Sequence, residues 1–508
     1  MKTLTLPSEQ TPIQKRAYSV RSGARRSKLF RVGTWLAATG LLVIAVAAMV
    51  TQAKRRMEIQ TVSDEQKIAR SLEIIRTSTP TDRKVLRVLF YGQSITRSGW
   101  HKSVVEHWRQ NYPYTDFEVQ NRALGGFASQ ALVRATEQDI QAFYPDLVIF
   151  HVYGDHRAYE RIIRLIRSLT AADVIVQTDH GEALPDPPCA EGLQMTLRRQ
   201  PGCSGVGWVH QRLWNDEMSY HKIPAFANKY GLAFEPQRDW WRDYLVSKHV
   251  EPRSLLEDDV HPNVAGKELI AQFFNRYFDN LIEHWNGETG NNVVSFPANS
   301  IENAGGQNTF QFDGNRLELL SNKTLASWPA ATVDGVSPKD IDGCYQVTRA
   351  SSIRTVPDWP AVRRITVRRD HTPQDWTATL VNLSPDQKAF DFTVKGSVTG
   401  ADGYGSSGSN FVSNSGRFSI EADDWMVERA FQEKHIPLQA PLEAHWSLNY
   451  VCGGEPEIIG LGDGSMQYRY VIATGLPNGK HTVKLSSLPG GRADVTEFRA
   501  YRPPLHEK

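Results

Sequence analysis

Cysteine is scarce, with four among 508 residues, and none stands in a Cys-x-x-Cys pair or beside histidine at zinc-site spacing, so the sequence predicts no metal. An excess of charge of one sign is missing as well. The chain carries 58 Lys and Arg against 56 Asp and Glu, a formal net charge of +2. Beyond residue 60 no basic stripe interleaved with aromatics appears, which speaks against a nucleic-acid partner. No internal repeat of solenoid or propeller period is present. The cysteines still permit an exported protein: Cys189 and Cys203 lie close together in a Pro/Gly-rich loop, whereas Cys344 and Cys452 are far apart. Pairing within each half is the simplest of the three connectivities open to four cysteines.

Long apolar runs are also rare, which makes the one near the N-terminus conspicuous. VGTWLAATGLLVIAVAAMV, from Val32 to Val50, is uncharged and just long enough to cross a hydrocarbon core of ~30 Å as a helix. Lys15, Arg16, Arg21, Arg25, Arg26, Lys28 and Arg31 precede it, and Lys54, Arg55 and Arg56 follow. The basic excess on the N-terminal side predicts a cytoplasmic tail over 1–31, a transmembrane helix over 32–52 and everything beyond it outside the cytoplasm, periplasmic or extracellular. A cleaved signal peptide is the rival, with Thr51 and Ala53 as small residues near a cleavage site, but the basic leader is longer than such peptides usually carry.

The chain is too long for one compact core and predicts two or three units. Residues 53–83 are polar and read as a stalk. From 84 to 286 short apolar runs alternate with helical spacing: VLRVLFYG, DFEVQN, DLVIFHV, ADVIVQT and Gly231–Phe234 as strands, and a last helix from about Asn263 to Trp285. That alternation predicts a doubly wound α/β domain with a parallel sheet. A linker is expected over 287–308. Runs such as RITVRR, WTATLVN, AFDFTVKG and HTVKLSS then alternate polar with apolar residues and predict an antiparallel β-sandwich of jelly-roll type over 309–508. TGADGYGSSGSN, residues 399–410, reads as a flexible loop within it. Trp328, Trp359, Trp376, Trp425 and Trp446 are core residues or, alternatively, sugar-stacking platforms.

Two short motifs carry chemistry. YGQSIT places Ser94 at a strand-to-helix turn on the carboxyl edge of the sheet, where a hydroxyl is exposed and the backbone N–H is free to meet an oxyanion; the same position suits a helix cap. In LEDDVHPN, Asp258 and His261 stand three residues apart before the closing helix. There a carboxylate can orient an imidazole that deprotonates the serine, although Asp-x-x-His also occurs as a capping pattern. VIVQTDH brings Asp179 and His180 to another strand's carboxyl end, to contact substrate or cap the next loop.

Together, YGQSIT, NRALGG and DDVHPN, in that chain order, resemble the motif series of the GDSL/SGNH hydrolases over about residues 85–275. The resemblance implies Ser94 as nucleophile and first oxyanion donor, His261 as general base and then acid, Asp258 as the orienting carboxylate and Gly126 as second oxyanion donor. Asp259 is the near alternative to Asp258. Two departures stand out. Gln93 replaces the Asp usual before the serine. In HVYGDH, His151 to His156, Asp155 is kept but Gly154 stands where the family has an oxyanion-donating Asn, whose loss typically costs ~2.7–4 kcal/mol. Gln93, Tyr153, Gly154, Asp155 and His156 are therefore candidate substrate or oxyanion contacts, with His151 as a further substitute donor. The expected activity is hydrolysis of O-acyl esters, O-acetyl groups on polysaccharide above all, without cofactor. The alternatives are an O-acyltransferase of the same fold acting on envelope glycans and a carbohydrate-binding protein whose catalytic site has decayed. Expected partners are an acylated carbohydrate or other small ester and, through 32–52, the membrane.

Overall fold

A computed structural model describes residues 62–181, 214–297, 302–304, 307–325, 328–368, 372–486 and 495–506. The basic tail, the apolar run at 32–52 and the Cys189/Cys203 loop lie outside the described residues. No helix among the described residues is long and apolar enough to cross a membrane.

Five parallel strands form the central sheet in the order β2-β1-β3-β4-β5. They are β1 (Lys84–Gly92), β2 (Thr115–Asn121), β3 (Leu147–His151), β4 (Asp173–Gln177) and β5 (Ala233–Glu235). β1, β3 and β4 are buried almost throughout, which is why they read as unbroken apolar runs. One face is covered by α1 (Asp64–Lys67), α2 (Ala69–Thr77), α4 (His101–Asn111), α8 (Gln237–Lys248) and α9 (Val264–His284). Leu72, Trp108, Trp241, Phe274 and Phe278 form its core with Leu86, Val88 and Phe90 of β1. The other face carries α5 (Ser129–Phe143), α6 (His156–Leu169) and α7 (Ile223–Tyr230). The short α3 (Ser94–Arg97) follows β1 directly. The strand order reverses between β1 and β3, and the crevice at such a point on the carboxyl edge is where open α/β sheets bind ligands.

Residues 64–77, expected as part of a stalk, belong to this layer. Ile68, Leu72, Ile74 and Ile75 are buried, Asp64 accepts from Tyr277 Oη at 2.7 Å and from Phe234 N at 3.1 Å, and Ser71 donates through N and Oγ to Asp173 at 2.8 Å. The apolar residues of this polar stretch gather on one amphipathic face. Within the expected linker, Val293–Pro297 pairs as an edge strand with Val495–Tyr501.

The antiparallel half is two pieces rather than one sandwich. A four-stranded and a five-stranded sheet, built from segments 293–333 and 457–501, pack over Phe312, Leu319, Tyr470, Val483 and Phe498. Between those segments, residues 345–450 form a separate five-stranded sheet with short flanking hairpins, and the Cys344–Cys452 disulfide joins the two ends of this insertion. Strand alternation in a sequence shows which residues face inward but not which strands pair, so one sandwich and two pieces look alike in it. Gly400–Ser406, expected within a flexible loop, is a strand paired with Asp391–Gly396. Trp359, Trp376, Trp425 and Trp446 are buried, and Trp328 stacks on Tyr470 at 5.4 Å, so none of the five is an open sugar platform.

A buried ionic network ties the parallel sheet to the sandwich. Arg87 of β1 meets Glu118 at 3.1 Å and Glu457 at 3.0 Å; Arg469 meets Glu457 at 3.3 Å and Glu318 at 3.7 Å; and Arg316 meets Glu318 at 2.7 Å. Burial pushes the Glu318 carboxyl up, but Arg316 and Arg469, with the hydrogen bond from Tyr501, outweigh it and hold it at about 2.

Glu235, the last residue of β5, has no such cation in contact among the described residues. It is fully buried, accepts from Gln177 Nε2 at 2.5 Å and is pushed up to about 8 by burial. Between about 4.5 and 8 the folded protein therefore holds a proton that the unfolded chain has released, so this group's contribution to stability is greatest below 4.5 and falls as pH rises toward 8. Glu235→Gln is expected to stabilise the fold at about pH 8.5 by on the order of a few kcal/mol, read as a higher melting temperature, and to leave the melting temperature nearly unchanged at about pH 4. Equal shifts at both pH values would contradict the assignment.

Candidate active site

Ser94 is the first residue of α3, immediately beyond β1 and Gln93. As a first-turn residue its N–H has no intrahelical acceptor. The junction is fixed by Gln93 N and Thr96 Oγ1, both donating to His151 O at 3.3 Å. The loop before α9 brings the other partner. Leu256 and Pro262 bridge across its neck, and Asn263 caps α9 by accepting from Gly266 N at 3.1 Å. Inside that neck the Asp258 carboxylate accepts from Val260 N at 2.8 Å and His261 N at 2.6 Å, and its second oxygen meets His261 Nδ1 at 2.7 Å. His261 Nε2 then lies 2.9 Å from Ser94 Oγ.

With Nδ1–H donated to Asp258, Nε2 offers its lone pair to the serine hydroxyl, the tautomer a general base requires. Burial pushes the Asp258 carboxyl up, but the bonds from His261 N, Val260 N and the His261 ring together outweigh it and hold it at about 2. It stays ionised at any ordinary assay pH. Asp259 turns away and pairs with Arg253, so of the two carboxylates only Asp258 reaches the imidazole.

Beside Ser94 runs the Leu124–Phe127 turn, closed by Phe127 N donating to Leu124 O at 3.1 Å. A side chain at Gly125 would start 3.9 Å from Ser94 Cβ. Gly126 has φ +78°, the left-handed third position of a type II turn, which suits glycine. Its Cβ would also sit 2.9 Å from Trp359 Cζ2. Trp359, on the Val356–Pro360 strand of a two-stranded hairpin beside the inserted sheet, donates Nε1–H to Gly125 O at 2.5 Å. Gly125 O and Gly126 N–H belong to one planar peptide unit. Fixing the carbonyl therefore fixes the direction of the N–H. Asp358, next to Trp359, pairs with Arg97 of α3 at the rim of the same crevice.

The candidates in HVYGDH fall into structural roles. The Tyr153 hydroxyl is buried, lies 2.7 Å from Ser219 Oγ and accepts from Asp179 N at 2.7 Å. Asp155 caps α6 by accepting from Ala158 N at 2.8 Å. His151 is buried with Nε2 3.3 Å from Asp179. The His156 ring stacks on Trp214 at 4.0 Å, and burial lowers its basicity. Gly154 has φ +136°, and a Cβ there would sit 2.8 Å from Ser129 N and 2.5 Å from Gln130 Oε1. No Asn fits at that position without moving the start of α5. Trp359 and Trp214 were not legible as site neighbours, since each acts across a long sequence separation on a backbone group rather than through a motif.

Gly154→Asn, intended to restore a third donor, is expected to lower the melting temperature and to give no gain in kcat. Trp359→Phe keeps most of the ring but removes the bond to Gly125 O; it should lower kcat about tenfold, less than the ~10²–10³-fold for outright removal of an oxyanion donor because the N–H is misaimed and not lost, with KM changed less. An unchanged kcat would separate Trp359 from the catalytic turn.

No family model matches the sequence, and no curated protein matches it. Among solved structures, the chain is similar to an acetyl-xylooligosaccharide esterase from Geobacillus, with 20% identity over 38% of this chain and 93% of that one and a TM-score of 0.29. It is similar to a GDSL-like lipase of Parabacteroides merdae, with 17% identity over 38% and 95% and a TM-score of 0.29. A two-domain esterase active on acetylated mannans shares 14% identity over 84% of this chain and 93% of that one, with a TM-score of 0.31.

Proposed function

We propose that the chain is a serine carboxylesterase in which Ser94 is the nucleophile, His261 the general base and acid, and Asp258 the group that orients His261. The observation that carries this is the relay of 2.7 Å from Asp258 to His261 and 2.9 Å from His261 to Ser94. His261 takes the Ser94 proton as Oγ attacks the ester carbonyl, and the N–H groups of Ser94 and Gly126 receive the oxyanion. His261 then protonates the departing alcohol, and water, deprotonated by the same imidazole, releases the acid and regenerates the serine.

The substrate class proposed is a small acyl ester on a carbohydrate. The His261 side chain is 36% exposed and that of Asp258 56%, and charged Arg97 and Asp358 stand at the crevice rim. This is an open, polar setting that suits a hydrophilic polymer better than a lipid. We also infer that the catalytic layer works outside the cytoplasm; the disulfide at the neck of the insertion and the basic-then-apolar N-terminal stretch favour it.

The test is hydrolysis of 4-nitrophenyl acetate by the full chain in detergent, comparing wild type with Ser94→Ala and His261→Ala. Each substitution is expected to lower kcat by at least about 10³-fold. Wild-type turnover no faster than either variant would reject the reading. Acetyl transfer to an added glycan at the expense of free acetate would redirect it to a transferase using the same serine.

A further inference from the structure

Asp179 and His180 sit beyond β4 and take no part in the acyl-transfer steps, yet His180 is fully buried. Its ring is held from both sides. Nε2 lies 2.6 Å from the carbonyl oxygen of Val260, and Nδ1 lies 2.8 Å from Asp179 Oδ1 in an ion-pair contact. A carbonyl oxygen only accepts, so Nε2 carries a proton. The other nitrogen faces a carboxylate, which favours a second proton on the ring.

The surroundings favour that charged pair. His151 Nε2 approaches the same Asp179 oxygen at 3.3 Å, and Tyr153 Oη accepts from Asp179 N at 2.7 Å. Arg238 donates to His180 O at 3.1 Å and is itself paired with Asp216 at 2.7 Å. The Trp241 ring meets the imidazole edge-on at 5.1 Å. Burial pushes the Asp179 carboxyl up, but the His180 charge and the contacts from both histidines outweigh it and hold it well below the usual carboxylate range.

Val260 lies between the two residues that matter most, Asp258 and His261. We propose that His180 is a positioning residue for the catalytic loop: clamped between Asp179 and the Val260 carbonyl, it ties the segment carrying Asp258 and His261 to the end of β4. This rests on the esterase reading of Ser94 and His261. The sheet is rigid and buried, whereas Asp258 and His261 stand partly in solvent. The loop's own bonds close its neck and turn, and the His180 bond anchors the turn to the sheet edge. A shift of about 1 Å in His261 costs on the order of 10²-fold in rate.

The test compares two amides in the full chain. In His180→Gln the side-chain nitrogen reaches the place of Nε2 and can still donate to Val260 O; in His180→Asn it reaches only the place of Nδ1. Both remove the charge, and both keep a polar side chain. His180→Gln is expected to keep kcat within about tenfold of wild type, while His180→Asn loses about 10²-fold with KM changed by less than about threefold. Equal kcat values for the two variants would overturn the proposal, and so would failure of both to fold, which would make His180 a general core residue. Hydrogen exchange of the amides of residues 256–262, independent of turnover, separates this from failure of the esterase reading. Faster exchange in His180→Asn but not in His180→Gln supports the clamp even if Ser94→Ala proves as active as wild type, and equal exchange rejects it.

Discussion

A single contact, 2.9 Å between Ser94 and His261, spans 167 residues of chain, and most of the α/β layer can be understood as the scaffold that holds its two ends. Ser94 inherits its position from β1, the strand flanked by β2 and β3. His261 inherits its position from a short loop stopped on one side by the Asn263 cap and the start of α9. Neither segment could hold that distance alone, because α3 is one turn long and the loop is partly solvated. The sheet supplies what they lack. Its strands are buried on both faces, so a displacement of Ser94 would require repacking a dense interior.

The antiparallel half takes part in the same task from two directions. At one end, the network of Arg87, Glu118, Glu318, Glu457 and Arg469 joins the early part of β1 to the sandwich. Such networks contribute little net stability after desolvation, but they tolerate only one register, because displacement leaves a buried charge unpaired. Near the carboxyl edge, the hairpin of Val356–Pro360 beside the inserted sheet reaches over the Leu124–Phe127 turn with Trp359. Arg134 of α5, paired with Asp424 at 2.6 Å, and Arg349, paired with Asp139 at 2.6 Å, hold the insertion against the same helix. The β region thus acts on that turn through packing and a hydrogen bond to backbone.

What was legible in the sequence follows the reach of each signal. β1, β3 and β4 are apolar runs bounded by turns, and local composition is enough to see them. Ser94, Asp258 and His261 lie in short motifs whose chain order carries the information. The packing of 64–77 against the sheet, a stretch read as stalk, was missed because its apolar face is interrupted by arginine and glutamate that pair or lie at the surface; Arg70, for example, comes within 3.8 Å of Asp146. The division of the antiparallel half was invisible because pairing depends on partners more than a hundred residues away, such as Gly479–Ser486 with Gln307–Gly314. His180 could be placed at a sheet edge from its strand, but the carbonyl it meets belongs to a loop 80 residues on.

The glycine at 154 is the point where local sequence logic and three-dimensional packing give different answers. By motif alone, the missing Asn looks like damage to an oxyanion hole. In the structure, the backbone at 154 passes so close to the start of α5 that a side chain is excluded, and the Gly154 carbonyl is occupied by Trp214 Nε1 at 2.6 Å. This is a built arrangement with its own partners. On the proposed mechanism the oxyanion then depends on two backbone donors, and both are aimed by rigid elements: Ser94 N–H by the end of β1 and Gly126 N–H by the Trp359 bond to its own peptide unit. A donor fixed before the reaction costs no reorganisation when charge develops, and preorganisation is what gives such donors their effect. The loss of one side-chain donor therefore places more weight on how firmly the remaining two are held. That requirement gives a physical reason for a tryptophan from a hairpin beside the inserted sheet, 234 residues along the chain, to be built into the Leu124–Phe127 turn.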